Sequence, residues 1–325
     1  MRPWELAAVM LPGVLAWLAI ALLRDSRWAK SLTDHPNARS LHASPTPRVG
    51  GLGVMAGALP LAALIANDAL RVALGAAAAL SLLSLADDIR SLPIEVRLPA
   101  HVVAAAATVF ALGTPLGGDG VVNVLWAAAA IFFLVWMTNL FNFMDGSDGL
   151  AGGMALIGFA ALAAGAGLAG DTPLALVAAA LASASAGFLA HNYPPARVFL
   201  GDSGSIPLGF LAGALGAYGF IEGVWAWWFA PLVFSPFIVD ATVTIAKRLL
   251  RGERIWVAHR THLYQRLVLA GWSSRRLALS SYALMAAAAA SALYALQAGP
   301  MLQSGIILSW AAAYLLLFIV IDRRL

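Results

Sequence analysis

Apolar residues occur along the chain in runs long enough to cross a membrane, separated by short polar or Gly- and Pro-rich breaks. A spanning helix needs about 20 apolar residues. The runs lie near residues 6–23, 50–67, 69–86, 99–116, 121–140, 149–169, 172–192, 204–220, 225–246, 277–298 and 301–321. The pattern predicts an all-α polytopic membrane protein with about eleven transmembrane helices and short loops between them.

Composition agrees with this pattern, because 61% hydrophobic and 11% charged residues exclude an ordinary soluble domain. The first run is too long for the apolar core of a signal peptide, and no small-residue cleavage site precedes Arg24, so we expect it to be retained. No repeat of 20–50 residues divides the chain, and we expect residues 1–325 to form one membrane domain. Two Gly-x-x-x-Gly pairs, beginning at Gly53 and Gly209, predict close helix contacts.

Basic residues divide unequally between the two ends of the predicted spans. With the N-terminus outside, 18 of the 20 Lys and Arg residues lie on the cytoplasmic side, and only Arg2 and Arg71 lie outside. This bias follows the positive-inside rule and predicts a cytoplasmic C-terminus. The basic pI near 9.8 is therefore a result of membrane topology, and no nucleic-acid partner is expected.

Carboxylates and amides collect on the same positively charged side, each at the end of a span. They are Asp87, Asp88, Asn139, Asn142, Asp145, Asp148 and Asp202, and two further acids, Asp34 and Asp240, lie on the same side. Three-residue spacing predicts that the members from 139 to 148 line one helical face. The structural alternatives are a helix stop for Asp87 and Asp88, a turn for 145–149, and a helix N-cap for Asp202.

Two polar loops add cations on this side. The first, residues 34–51, contains Asn37, Arg39 and Thr46 and ends in Gly50-Gly51, whose backbone N–H groups at a helix start are expected to receive phosphate oxygens. Its alternative is a basic loop that touches anionic lipid. The second loop, residues 247–276, carries His259-Arg260-Thr-His262, and spacing of i, i+3 predicts that both imidazoles face one way on a short helix. A purely structural His pair is the alternative there.

Acids at helix ends, basic loops and apolar spans together favour one chemistry. Carboxylates hold a divalent metal, cations and amides hold phosphates, and grooves between spans hold a lipid tail. The combination predicts a metal-dependent phosphoryl transfer on a membrane lipid. The absence of cysteine excludes thiolate nucleophiles and disulfides.

At these residues the sequence resembles the polyprenyl-phosphate N-acetylhexosamine-1-phosphate transferase family, which includes phospho-MurNAc-pentapeptide translocase and the enzymes that initiate O-antigen synthesis. Four blocks stand in the family order: Pro45-Thr-Pro-x-x-Gly-Gly51, Asp87-Asp88 followed by Arg97, Asn139-x-x-Asn142-x-x-Asp145-Gly-x-Asp148-Gly149, and Phe199-x-Gly-Asp202. The resemblance implies a UDP-sugar donor, polyprenyl phosphate as acceptor, Mg²⁺ as cofactor with Mn²⁺ as a substitute, and UMP as product. It also implies a cytoplasmic active site in the bacterial inner membrane.

Site residues follow from the same resemblance and from the loops. Asp202 matches the family's metal ligand, and Asn192 and Phe199 match positions that contact uracil. The candidate catalytic residues are Asp87, Asp88, Asp145, Asp148, His259 and His262. The candidate substrate-binding residues are Asn37, Arg39, Thr46, Arg97, Asn139, Asn142, Asn192, Phe199 and Arg260.

The His-Arg-Thr-His form of the last loop is similar to the O-antigen-initiating branch, which implies UDP-GlcNAc or a UDP-6-deoxy-N-acetylhexosamine as donor. The sequence leaves open whether Asp87 orients the acceptor or forms a phospho-aspartate. It also leaves the oligomeric state open, with a homodimer as one alternative.

Two other functional classes are an ion-coupled transporter, which requires acids near the membrane midplane and repeated halves, and an intramembrane aspartyl protease, which requires paired acids within spans.

The predicted topology can be tested by labelling, because the chain has no native cysteine. Cysteines introduced at Gly118 and Ala258 should react with a membrane-impermeant maleimide from opposite sides, with position 118 labelled from outside. Labelling of both positions from the same side would contradict the eleven-span arrangement.

Overall fold

A computed structural model describes residues 2–36, 41, 44–113, 120–254 and 259–324. In chain order its elements are α1 Pro3–Arg24, α2 Arg27–Ser31, β1 Thr33–Asp34, β2 Thr46–Pro47, α3 Gly50–Ile65, α4 Asp68–Arg90, α5 Ile94–Leu112, α6 Gly120–Phe143, α7 Leu150–Ala169, α8 Thr172–Asn192, α9 Asp202–Ile221, α10 Phe229–Val233, α11 Ser235–Leu250, α12 Leu263–Leu269, α13 Ser274–Leu296 and α14 Pro300–Arg324. The short strands β1 and β2 pair antiparallel.

The helices confirm the prediction of an all-helical multi-pass membrane protein. Within the described ranges, nine helices are long and apolar enough to span a bilayer, namely α1, α4 to α9, α13 and α14. The count of eleven stays a prediction, because the predicted span 50–67 contains α3, a shorter apolar helix of 16 residues, and residues 225–246 do not form one helix.

The break in the ninth predicted span separates α10 from α11. Pro236 lies in the first turn of α11, where it has no N–H to continue the preceding helix. The Ser235 hydroxyl donates to the Leu232 carbonyl at 2.7 Å, and its oxygen lies 2.7 Å from the Tyr314 hydroxyl of α14. The ninth predicted span is therefore interrupted at Phe234, and α11 is a separate helix of 16 residues.

Helix α9 forms the centre of the bundle and packs against both α4 and α6. Most of its residues are buried, and glycines allow its backbone to approach neighbouring helices. A Cβ added at Gly209 would lie 2.4 Å from the Met137 carbonyl oxygen of α6. On α3, a Cβ at Gly53 would lie 2.3 Å from Ile20 of α1. The close helix contacts predicted from the two Gly-x-x-x-Gly pairs are confirmed.

The starts of α3 and α9 meet backbone to backbone. The Gly50 N–H donates to the Phe199 carbonyl at 2.9 Å, and the Gly51 N–H donates to the Leu200 carbonyl at 2.8 Å. The expectation that these two N–H groups receive phosphate is therefore wrong, since both are used to attach the segment before α9. A Cβ at Gly51 would lie only 2.3 Å from the Gly204 nitrogen.

This contact leads to a prediction about stability. We expect Gly51→Ala to destabilise the protein by about 1–3 kcal/mol, because the added methyl group collides with backbone that cannot rotate away. Gly75→Ala is the matched control: Gly75 also lies inside a helix, but a Cβ there meets nothing within 4 Å. Helix propensity should make this control neutral or stabilising by about 0.5–1 kcal/mol. Thermal unfolding in detergent measures both, and equal melting temperatures for the two variants would contradict the prediction.

Candidate active site

A polar cavity of about 500 Å³ lies at the end of the bundle where α3, α7 and α9 begin and α6 and α8 end. It is lined by Asp34, Leu41, Arg48, Asn142, Phe143, Asp145, Gly146, Ser147, Asp148, Asn192, Phe199, Gly201, Asp202, His259, Tyr264, Gln265 and Ser274. Seven residues proposed from the sequence are among them: Asn142, Asp145, Asp148, Asn192, Phe199, Asp202 and His259. The fold thus brings together residues that are up to 117 positions apart.

Asp202 is the first residue of α9 and faces the cavity. Gly201 occupies the N-cap position with φ 73°, a left-handed value that favours glycine, and no side chain caps the helix. The N-cap alternative for Asp202 is therefore wrong. Its carboxylate remains 29% exposed, and its Oδ2 atom lies 4.0 Å from Nη1 of Arg97.

Asp87 and Asp88 lie behind the cavity in the last turn of α4 and have different partners. Asp87 accepts hydrogen bonds from the Leu92 N–H at 2.5 Å and from Arg97 Nη1 at 2.9 Å. Asp88 is almost inaccessible; its Oδ2 atom accepts from the Ser203 N–H at 3.4 Å, and its Oδ1 atom lies 3.6 Å from Arg48 Nη1. Both carboxylates are thus bound to backbone N–H groups and arginines next to Asp202.

The loop between α6 and α7 carries Asp145 and Asp148. Since α6 ends at Phe143, the predicted helical face from residue 139 to 148 is wrong beyond that point. The Asp148 Oδ2 atom accepts from the Ala196 N–H at 3.1 Å. Burial, and next the charge of Asp202, raise the pKa of Asp145 well above its usual value. The ionised form of Asp145 is therefore disfavoured unless a cation lies beside it.

The candidate amides differ in their surroundings. Asn142 lines the cavity and accepts from the Ser205 hydroxyl at 3.0 Å. Asn192 is buried; its Oδ1 accepts from the Gly149 N–H and its Nδ2 donates to the Val198 carbonyl, both at 2.8 Å. Asn139 lies one turn further inside α6 and donates to the Val135 carbonyl at 2.7 Å. Among these three, the structure places Asn142 and Asn192 at the cavity.

The two histidines of the last loop both precede α12, so the short helix predicted for them is wrong, but their rings lie together with centroids 4.8 Å apart. His259 lines the cavity, and its Nδ1 atom lies 2.9 Å from the Thr261 hydroxyl. Burial, followed by the nearby His262 and Arg248, lowers the pKa of His259 to about 4, so its imidazole is neutral at pH 7. His262 is buried behind the cavity wall, where its Nδ1 atom lies 3.5 Å from Asp240 Oδ1.

The other substrate-binding candidates are less central. Arg260 is exposed, and Thr46 is buried, with its hydroxyl donating to the Ser44 carbonyl at 3.2 Å. Asn37 and Arg39 fall outside the described residues.

Arg48 lines the cavity but is not among the site residues predicted from the sequence. It forms ion pairs with Asp34 and Asp88 and is 35% exposed. The signal was present in the first block, where Arg48 occupies a variable position between Pro47 and Gly50. The Arg48 guanidinium reaches Asp88 of α4 because the backbone on either side of Arg48, at Pro47 and Gly50, is hydrogen-bonded to the segment before α9.

The oxygen atoms at the cavity suit a hard divalent cation. Asp145 and Asp202 supply carboxylates, and Asn142 lines the cavity with its amide oxygen accepting from the Ser205 hydroxyl. Mg²⁺ is usually bound by one or two carboxylates together with waters and substrate phosphates. Over the described part of the chain, no three Asp, Glu or His side chains form a ready metal cluster. Two carboxylates are the number that Mg²⁺ usually takes from a protein when phosphate oxygens and waters supply its other ligands.

Comparison with known proteins gives a consistent result. The glycosyl transferase family 4 model matches residues 70–219, a stretch that contains both Asp87 and Asp202. Decaprenyl-phosphate N-acetylglucosaminephosphotransferase of Mycobacterium tuberculosis (strain H37Rv) is 30% identical over 328 aligned positions, covering 86% of this chain and 79% of the relative.

Two further relatives carry related names. A probable undecaprenyl-phosphate N-acetylglucosaminyl 1-phosphate transferase of Bacillus subtilis is 28% identical, covering 77% of this chain and 73% of its own length. A phospho-N-acetylmuramoyl-pentapeptide-transferase of Nostoc is 29% identical, covering 89% of this chain and 87% of its own length.

Proposed function

The chain belongs to glycosyl transferase family 4, and we propose that it transfers an N-acetylhexosamine-1-phosphate from a UDP-sugar to polyprenyl phosphate, with release of UMP. The observation that carries the proposal is the polar cavity in which Asp145 and Asp202 lie together with Arg48. Acids for a metal and a cation for phosphate are the groups that phosphoryl transfer requires. The active site then faces the cytoplasm of a bacterial inner membrane.

The donor in this proposal is UDP-GlcNAc or a UDP-6-deoxy-N-acetylhexosamine. Relatives named as N-acetylglucosaminephosphotransferases cover most of the chain, and the His259-to-Arg266 loop supports the same branch. The product, a polyprenyl diphosphate sugar, starts a lipid-linked cell-surface glycan such as O-antigen.

The reaction joins an oxygen of the lipid phosphate to the sugar-bearing phosphorus of the donor. The phosphorus–oxygen bond to UMP breaks, and UMP leaves with the electron pair. A phosphate monoester has a second pKa near 6, so the acceptor is mostly dianionic at neutral pH and needs no strong base. The main barrier is the approach of two anions.

The residues around the cavity can lower this repulsion between the two anions. Asp202 and Asp145 are the groups that would hold Mg²⁺, which would supply Lewis acidity and neutralise phosphate charge when bound. Arg97 brings a guanidinium group to 4.0 Å from Asp202, and Arg48 lies 3.6 Å from the neighbouring Asp88. Phe199 and the buried Asn192 form the wall that we assign to the nucleotide.

The positions of the acids support a transferase over the transporter alternative. Asp202 begins a helix, Asp87 and Asp88 lie in the last turn of another, and Asp145 belongs to a loop. All lie at one end of the bundle, whereas ion coupling requires acids near the midplane.

Purified full-length protein should release UMP when it is mixed with polyprenyl phosphate, Mg²⁺ and UDP-GlcNAc or its 6-deoxy relative. We expect kcat/KM for these donors to exceed that for UDP-MurNAc-pentapeptide by at least about tenfold. Release of UMP from the pentapeptide donor alone would reverse the donor assignment. No UMP from any UDP-sugar would refute the proposed transferase.

Asp202→Asn tests the metal assignment. The substitution keeps the size of the side chain but removes the charge that Mg²⁺ requires, so UMP release should fall by about 100-fold or more. Asp68→Asn is the matched control, because Asp68 is also the first residue of a spanning helix but is fully exposed at the opposite end. Both variants lose the same favourable interaction with a helix N-terminus. Wild-type turnover of Asp202→Asn at limiting Mg²⁺ would exclude Asp202 as the metal ligand. The melting temperatures of both variants should be measured alongside, to check that each is folded.

A further inference from the structure

We propose that Asp240, an acid of α11 outside the cavity, is a positioning residue that holds one wall of the active site in place. The inference rests on the proposed transferase function. Asp240 acts through the short helix α12 and through Tyr264, which lines the cavity. Its role is to fix the geometry of the loop that carries Asp145.

The carboxylate of Asp240 is buried and is used by three hydrogen bonds. Its Oδ1 atom accepts from the Leu263 N–H at 2.8 Å and from the Thr244 hydroxyl at 3.2 Å, and its Oδ2 atom accepts from the Tyr264 N–H at 3.2 Å. Leu263 and Tyr264 are the first two residues of α12. Asp240 therefore binds the free N–H groups at the start of that helix, where a negative charge is favourable.

Helix α12 depends on such attachments, because seven residues are too few for a helix that is stable alone. Asp240 holds its first turn, and Arg266 of its last turn is bound to Asp322 of α14 at 2.5 Å. His262, the N-cap residue, stacks on Tyr264 with ring centroids 6.0 Å apart and lies 3.5 Å from Asp240. The helix is thus fastened to α11 at one end and to α14 at the other.

Tyr264 connects α12 to the loop between α6 and α7, which carries Asp145. Its hydroxyl donates to the Phe143 carbonyl at 3.1 Å, at the last residue of α6 and two residues before Asp145. A Cβ at Gly146 would lie 2.1 Å from the same hydroxyl, so the loop fits around the tyrosine only because residue 146 has no side chain. Asp240 therefore holds the backbone of Tyr264, and the Tyr264 hydroxyl contacts Phe143 and Gly146 on either side of Asp145.

Steady-state UMP release by Asp240→Asn, Tyr264→Phe and the double variant tests the proposal. Asn keeps one acceptor oxygen but turns an N–H₂ group toward a backbone N–H. We expect kcat to fall by at least about tenfold while KM for the donor changes by less than about threefold, since alignment is lost rather than binding. Because both changes interrupt one path, the double variant should lose no more activity than Asp240→Asn alone. Independent, multiplicative losses would overturn the proposal.

A second pair of variants removes the hydrogen bond from the other side and leaves the carboxylate intact. Leu263→Pro deletes the donor N–H at the first position of α12, where proline is accepted in a helix, and Leu263→Ala is its control because it loses the same packing but keeps the N–H. We expect a lower kcat for the proline variant than for the alanine variant. Equal kcat values would overturn the proposal, including in the case that Asp240→Asn does not fold.

Hydrogen–deuterium exchange provides a readout that does not depend on activity. Asp240→Asn should accelerate exchange in residues 263–269 and 143–148 and leave α4 unchanged. Asp171→Asn is the control, since Asp171 also accepts a backbone N–H at a helix start, at 3.0 Å, far from the cavity. If wild-type protein releases no UMP, the proposed function fails, while exchange still decides the positioning role. Unchanged exchange at 143–148 would overturn it.

Discussion

Mutual repulsion between carboxylates is the constraint around which this end of the molecule is arranged. Asp87, Asp88 and Asp202 converge at the meeting point of α4 and α9, where burial weakens screening by water. Two arginines lie between them: Arg97 contacts Asp87 at 2.9 Å and Asp202 at 4.0 Å, and Arg48 lies 3.6 Å from Asp88. Asp145 lies nearby, and burial first and the charge of Asp202 second raise its pKa. A cation bound among these acids would offset both effects, which makes this cavity suited to a metal bound to phosphate.

The convergence of the acids could be predicted from the sequence because hydropathy locates the helix ends and the distribution of basic residues assigns those ends to one side. Asp145, Asp148 and Asp202 accordingly meet at one cavity. Local spacing was less informative. It placed Asp145 on a continuation of α6, but the helix ends at Phe143, and the glycines that follow form a loop. Repeated polar spacing describes a face only for as long as the helix continues.

The last loop shows why the remainder could not be predicted. Spacing placed His259 and His262 side by side on a short helix. Their rings do lie together, with centroids 4.8 Å apart, but both residues precede α12, with His259 at the cavity and His262 buried behind it. The cause is Asp240, more than twenty positions earlier in the chain, which binds the start of α12 and fixes where the helix begins. A hydrogen bond between distant segments leaves no periodic pattern. The same holds for Gly50 and Gly51, whose N–H groups are taken by Phe199 and Leu200.

The backbone contact between α3 and α9 has a consequence for how this chain can change over time. A side chain at Gly51 meets the Gly204 nitrogen, and a side chain at Gly204 meets the Gly51 Cα atom at 2.5 Å. Both obstacles are main-chain atoms that every amino acid possesses. No second substitution at the partner position can therefore make room for the first, so the two sites offer no compensatory route. A lineage that keeps this helix crossing must keep both glycines, and a genetic screen for suppressors of a change at either site should recover reversion rather than exchange at the other.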